Sequence, residues 1–162
     1  MPDHPLPEVT PPATARAAVL RHRDRALEGL KWEEDEANDL VLFVTTPAVA
    51  ASGQIDLYMV KLGFAYYPDW PPSATFVDPA TRQYSPRHWP VIENSDRMAL
   101  HPTYGDAPEG LICNSMFFEF YFWGGHGRNP QLTWEKGRHT MAASISELKI
   151  HLQPPYYQRR NQ

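Results

Sequence analysis

Seventeen prolines are spread over 162 residues, and their spacing divides the chain into stretches that can be regular and stretches that cannot. Proline donates no backbone hydrogen bond and is excluded from helix interiors and central strands, so it marks turns, edges and loops. Residues 1–12 hold five prolines and hardly any bulky apolar side chains, which reads as a flexible or loosely docked Pro-rich tail. Pro79, Pro86, Pro90, Pro102 and Pro108 break residues 78–112 into irregular, surface-hugging chain. Long ordered loops of that kind often carry function.

The regular elements have to come from the intervals. Ala13 to Leu30 is free of proline, and Ala17, Leu20, Leu27 and Leu30 recur near helical spacing while Arg16, Arg23 and Glu28 can face water; this predicts a helix whose end is weakened by Gly29. Residues 39–46 and 54–62 are rich in β-branched and aromatic residues and predict two strands, joined by the Ala/Ser/Gly-rich segment 47–53 as an antiparallel hairpin. Ile55, Leu57, Met59 and Lys61 share one face of the second strand by its period of two. A third short strand is expected at residues 74–77, after the rigid turn Tyr67-Pro68-Asp69-Trp70-Pro71-Pro72. Residues 116–123, Met-Phe-Phe-Glu-Phe-Tyr-Phe-Trp, read as a strand or buried loop packing on the core in preference to a partner-binding surface. Met141, Ile145, Leu148 and Leu152 lie on one helical face, with Thr140 as N-cap and Pro154-Pro155 as the stop. The expectation is an α+β domain over residues 13–156, followed by a polar C-terminal tail, 157–162. No internal repeat is present.

Composition narrows the function. The 42% hydrophobic and 21% charged shares are those of a globular chain, and a net charge of -4 offers no electrostatic footprint for nucleic acid. No apolar run approaches the ~20 residues of a membrane helix, and the first residues lack a basic segment followed by an apolar one. A cytoplasmic protein is expected, without nucleic-acid or membrane partners. Arg16, Arg21, Arg23 and Arg25 make the first helix locally basic, a face that could dock an acidic partner or be merely solvated.

One cysteine, Cys113, stands in the whole chain, so an internal disulfide or multi-cysteine zinc site is impossible. It is either a small buried apolar residue or a reactive thiol. It closes the stretch His101-Pro102-Thr103-Tyr104-Gly105-Asp106-Ala107-Pro108-Glu109-Gly110-Leu111-Ile112-Cys113.

The turn at Tyr67–Pro72 resembles the Tyr-Pro-x-x-Pro-Pro signature that follows the third strand of ubiquitin-conjugating enzymes. His101-Pro102 is similar to the start of their His-Pro-Asn motif, and Gly110-Leu111-Ile112-Cys113 to the Gly-x-Ile-Cys that delivers their catalytic thiol. Trp134, followed twenty residues later by Pro154 with an amphipathic helix between, matches the residues flanking their central helix. The resemblance spans residues 13–156 and rests on the order and spacing of these pieces together. It implies a UBC-like fold: an N-terminal helix, an antiparallel sheet of about four strands, an irregular active-site segment and a central helix, lacking the family's last two helices. It also implies a divergent bacterial member that works beside an activating enzyme, a ubiquitin-like modifier and a deconjugating peptidase.

The departures fall where the chemistry is done. Thr103 stands at the motif asparagine, two extra residues separate the His-Pro pair from Cys113, about a dozen extra residues precede Trp134, and the acidic gate position falls near Gln158. In the family the cysteine takes the modifier's C-terminal acyl group from the activating enzyme and passes it to an amine of a target protein. A thiol suits both steps, and no cofactor or ATP site is required; no Gly-x-x-x-x-Gly-Lys-Ser/Thr loop and no Gly-x-Gly-x-x-Gly after a strand is present. Transfer passes through an oxyanion that needs donors. Backbone N–H groups of the loop, then the Asn114 amide, then the Thr103 hydroxyl are the candidates. His101 is read as holding the loop in preference to moving a proton.

Two other readings compete. One is a catalytically inactive UBC-fold binding module, favoured by the substituted asparagine and opposed by the cysteine. The other is a cysteine hydrolase pairing Cys113 with His126 or His101, whose nucleophile would be expected at a helix start, whereas the residues after Cys113 read as extended. His126 and His139 flank an insertion that could fold near the thiol, but Cys113, His101, His126 and His139 lack the spacing of a metal site.

Overall fold

The computed structural model describes residues 1–124 and 133–161. Helix α1 (Pro12–Ala26) begins with Pro12 in its first turn, where a missing N–H costs nothing and the fixed φ suits the helix. It ends four residues earlier than the sequence pattern predicts, because the chain turns at Gly29 with φ +80°. Its buried residues are Ala15, Ala18, Val19 and Ala26, whereas Leu20 is 48% exposed. The inward face is therefore set by small residues, and the expected Ala17/Leu20 face points outward. Small side chains let α1 lie close against the later helix, and close approach outweighs the larger apolar area that Leu20 would bury.

Strands β1 (Lys31–Glu34), β2 (Val41–Val49), β3 (Ile55–Gly63) and β4 (Ser73–Val77) form one antiparallel sheet in the order β1-β2-β3-β4. Val44 pairs with Val60, and Val60 in turn with Phe76. By the period of two, Leu42, Val44, Tyr58, Val60, Leu62 and Phe76 share the face that joins the core cluster. The opposite face carries Ile55 and Leu57, 60% and 56% exposed, so the apolar set singled out on β3 is its outer one. β1 has no counterpart among the predicted strands. Its Lys-Trp-Glu-Glu sequence alternates, but four residues are too short a run to register as a period.

After β4 the chain is irregular, as its prolines require. It is punctuated by a single 3-10 turn (Pro86–His88) and the three-residue strands β5 (Pro90–Ile92), β6 (Ala99–His101) and β7 (Leu111–Cys113). β6 and β7 pair antiparallel with each other. The aromatic run is neither strand nor loop throughout, since Glu119–Phe122 forms a one-turn helix, α2. Helix α3 (Met141–His151) buries Met141, Ile145 and Leu148, with Leu152 just beyond its end, and the Thr140 side chain caps its start by accepting from the Ala142 N–H. Each such side chain is worth about 1.5–3 kcal/mol of burial. Residues 157–160, expected as part of a polar tail, form strand β8 (Tyr157–Arg160) antiparallel to β5. Tyr157 is buried, donates to Asp56 Oδ2 at 2.5 Å and lies 2.6 Å from the Tyr58 hydroxyl. Residues 1–11 hold no regular element but are docked at two backbone points, Thr10 N–H on the Ala65 carbonyl and Asp3 N–H on that of Phe122. The arrangement is α+β, with α1 and α3 packed together and the sheet's inner face against them.

Candidate functional site

Cys113 lies at the end of β7, half-buried, one residue beyond Ile112 of the core. The register places Ala99 opposite Cys113 and His101 opposite Leu111, with the Leu100–Ile112 pair between them, so His101 and Cys113 share one face of the two-stranded ribbon as diagonal neighbours. The His101 ring packs at 5.0 Å from that of Tyr104. Thr103 is exposed, in the turn that follows.

Gly110 sets the approach of this ribbon. Its φ is +76°, and a Cβ there would stand 2.6 Å from the Trp89 ring, 2.8 Å from the Pro102 carbonyl oxygen and 2.9 Å from that of His101. Only glycine fits, because both the backbone conformation and the space exclude a side chain. The His101-Pro102 backbone is thereby seated directly against the residue that opens the Gly-x-Ile-Cys stretch. Tyr84 adds a tie from the preceding loop, its hydroxyl donating to the Pro102 carbonyl. Sequence reading placed no weight on Tyr84 or Trp89; nothing in a proline-rich loop announces which aromatic residue will fold under it.

Beyond Cys113 the chain turns instead of continuing extended. Asn114 N–H donates to the Ile112 carbonyl, Phe117 N–H to that of Asn114, and Asn114 Oδ1 accepts from Met116 N–H at 2.8 Å. The Asn114 amide nitrogen donates to the Arg97 carbonyl at 2.9 Å, and the residue is 3% exposed. The Asn114 side-chain amide expected as an oxyanion donor thus already holds the turn together. Arg97 in turn pairs with Glu147 of α3, and Ser95 Oγ lies 3.0 Å from His151 Nε2, so the Cys113 turn is tied through residues 95–97 to α3.

Burial pushes the Cys113 thiol above its ordinary range. Helix α2 starts six residues downstream and has one turn only, so Cys113 does not stand at its start, where a helix dipole would favour the thiolate. His139 is engaged elsewhere: its Nδ1 accepts from the Glu135 N–H at 2.9 Å and its ring leans on Trp134. His126 lies outside the described residues. Among the described residues no three His, Cys, Asp or Glu side chains converge as metal ligands.

The motif residues on the other side of the core form a second assembly. The Tyr67 hydroxyl accepts from Met141 N–H at 2.9 Å and lies 2.7 Å from His22 Nδ1, while Trp134 Nε1–H donates to the Pro68 carbonyl at 3.0 Å. The turn after β3, the start of α3 and the middle of α1 are pinned at one phenol. Of the four helix arginines, Arg16 and Arg23 bond Glu34 of β1 at 2.6 and 2.8 Å, whereas Arg21 and Arg25 are exposed.

No family model matches the chain, and no curated protein is measurably similar to it in sequence. Among the described residues no helix is long and apolar enough to cross a membrane.

Proposed function

We propose that this chain is a ubiquitin-conjugating-like enzyme that carries a ubiquitin-like modifier as a thioester on Cys113 and passes it to an amine of a target protein. The observation that carries the reading is the order of parts. A helix and a four-stranded antiparallel meander are followed by an irregular segment that ends in the half-buried Cys113, and then by a helix packed in the core. Of the pieces of the resemblance, the Tyr67 turn joins β3 to β4, His101-Pro102 and Gly110–Cys113 lie at the paired strands β6 and β7 late in the irregular segment, and Trp134 precedes α3.

In the first step the Cys113 thiolate attacks the modifier's terminal carbonyl, the carbon–sulfur bond to the activating enzyme breaks, and that enzyme's thiol leaves with a proton. In the second a target amine attacks the new thioester. The carbon–nitrogen bond forms, Cys113 departs as thiolate, and the proton lost by the amine returns the thiol. With its pKa raised by burial, Cys113 is mostly protonated at neutral pH, unlike the low-pKa thiol of a histidine-paired hydrolase. The exposed Arg21 and Arg25 of α1 are the face offered to the activating enzyme, and a cytoplasmic setting goes with that partner.

Incubation with the cognate activating enzyme, modifier and ATP is expected to yield an adduct on Cys113 that dithiothreitol cleaves, and a resistant ester with Cys113→Ser. Absence of any wild-type adduct while the activating enzyme is demonstrably charged overturns the reading. An inactive binding module of the same architecture is the second reading. It is favoured by the engagement of the Asn114 amide with Arg97 and by threonine at position 103, and it predicts the modifier bound without a covalent adduct.

A further inference from the structure

Helix α3 carries two different buried faces. Ile145 and Leu148 turn to the sheet, where they border a small cleft with Val44, Thr46 and Val60. Ser144, Glu147 and His151, spaced i, i+3 and i+7, form a second stripe, and all three are buried although polar, at 0, 8 and 2% exposure. Buried polar side chains need partners, and each of these reaches the chain that leads into the Cys113 ribbon or out of it. Ser144 Oγ donates to the Met116 carbonyl at 2.8 Å, Glu147 Oε1 pairs with Arg97, and His151 Nε2 lies 3.0 Å from Ser95 Oγ.

The direction of the last bond follows from the protons around it. His151 Nδ1 lies 2.9 Å from the Glu147 backbone oxygen and 3.7 Å from its Oε2, so that nitrogen carries the ring hydrogen. Ser95 Oγ already accepts from the N–H groups of Arg97 and Met98, both at 3.1 Å, which leaves its own proton to give. Ser95 therefore donates to Nε2. One hydroxyl thus gathers three bonds and closes the 95–98 turn, whose Arg97 carbonyl holds the Asn114 amide beside Cys113. The Arg97 guanidinium is 52% exposed, so its pair with Glu147 is open to water and weak. The His151 bond is the firmer anchor, because its ring is inside.

We propose that His151 is a positioning residue for Cys113, acting through Ser95. Its lone pair fixes the 95–98 turn, the turn fixes Asn114, and Asn114 fixes where the neighbouring thiol points. The inference rests on the reading of Cys113 as an acyl carrier, in which a thioester has to meet the incoming amine in one orientation.

Two amide replacements of the histidine separate this role from packing. A glutamine oxygen reaches the place of Nε2 and can accept from Ser95, whereas an asparagine amide stops at the place of Nδ1 and keeps only the Glu147 bond. The readout is the iodoacetamide rate of Cys113 at neutral pH, which needs neither activating enzyme nor modifier. Loss of one hydrogen bond raises the population of the released turn about tenfold, so His151→Asn should alkylate about tenfold faster than wild type, and His151→Gln close to the wild-type rate. Ile145→Val, on the sheet-facing side of the same helix, has a comparable cost to stability and should leave the rate unchanged. Ser95→Ala, at a half-buried loop position, breaks the same bond from its other end and should be at least as fast as His151→Asn, which keeps the test open if the histidine variant does not fold. A Cys113 adduct should discharge to lysine more slowly in His151→Asn than in His151→Gln. Equal rates in the asparagine and glutamine variants, an unchanged Ser95→Ala, or an Ile145→Val as fast as His151→Asn overturns the role of His151. A missing wild-type adduct overturns the carrier reading alone, because the alkylation rates stand without it.

Discussion

The Asn114 amide nitrogen lies 2.9 Å from the Arg97 backbone oxygen, which joins the turn after Cys113 to a loop that is itself clamped on α3 by the Arg97–Glu147 pair. A group held this way cannot swing freely to a reacting carbonyl, so its first duty is to fix where Cys113 points. Asn114→Ala leaves the Arg97 carbonyl and Met116 N–H without their partners in a 3% exposed place, and each orphaned group costs about 1–3 kcal/mol. Thermal unfolding should show Asn114→Ala clearly destabilised. Asn114→Asp keeps the acceptor for Met116 N–H but cannot donate when ionised. A buried carboxyl has a raised pKa, so its penalty should be small in acid and grow as pH rises through that pKa. A loss of stability that is the same at pH 5 and pH 8 would show that the Arg97 bond contributes nothing.

Cys113 should alkylate as a thiol shielded by burial. Since its pKa is raised, the thiolate fraction grows tenfold per pH unit across the neutral range, and the iodoacetamide rate should climb from pH 6 to 9 without levelling. A plateau near neutrality would restore the histidine-paired hydrolase.

How far the residues announced this arrangement depends on whether a signal was local. Thr140, the Met141/Ile145/Leu148 stripe and Pro154-Pro155 delimit α3 because capping, periodicity and chain breaking act within a few residues. The phase of α1 departs from the sequence pattern because that pattern weights large apolar side chains, while the close fit against α3 selects Ala15, Ala18 and Ala26. Strand β8 was invisible, since Tyr157-Gln158-Arg159-Arg160 is polar outside its first residue and gains its partner, β5, from a segment 65 residues earlier. At the site the glycine and cysteine were legible as a spaced pair. The Arg97 carbonyl that engages Asn114 was not, because a backbone acceptor has no sequence signature.

Gly110 is the position least able to change. Gly110→Ala adds a Cβ 2.6 Å from the Trp89 ring and 2.8 Å from a carbonyl oxygen, at a φ that alanine adopts at a cost of about 1–2 kcal/mol, and overpacking adds about 1–3 kcal/mol more. Chemical denaturation should show a loss of several kcal/mol if the variant folds. Carrier activity should fall with it, since the His101-Pro102 backbone must move away from the ribbon that holds Cys113. An alanine variant within experimental error of wild type would mean that this backbone approach is not a constraint.

Tyr67→Phe tests the second assembly. The hydroxyl is a partner of half-buried His22 and the acceptor for the N–H of Met141, which is buried, so its removal should cost about 1–3 kcal/mol with the ring packing intact. Burial, with Arg21 nearby, lowers the His22 pKa. That group is therefore neutral in the fold where an unfolded histidine would be charged, and stability should drop as pH falls below the ordinary histidine range. His22→Gln should flatten that acid limb. An unaltered limb in the variant would assign it to carboxylates instead.

Glu119 sets the opposite limb. Its folded pKa of about 8 lies above the ordinary glutamate value of 4.5, so between those two values the folded chain binds a proton that the unfolded chain has released. Stability from this group is fully present below pH 4.5, declines as pH rises through the window and is lowest once pH passes 8. The melting temperature should accordingly fall between pH 6 and 9. Glu119→Gln retains an oxygen for the Ala74 N–H and has no proton to lose, so the same scan on this variant should be flat over that interval. Glu119→Ala removes the cap on the β4 edge as well and should be destabilised at every pH, including those where the wild-type acid is neutral. If Glu119→Gln melts with the same alkaline slope as wild type, the proton responsible sits elsewhere and the carboxyl is ionised in the fold.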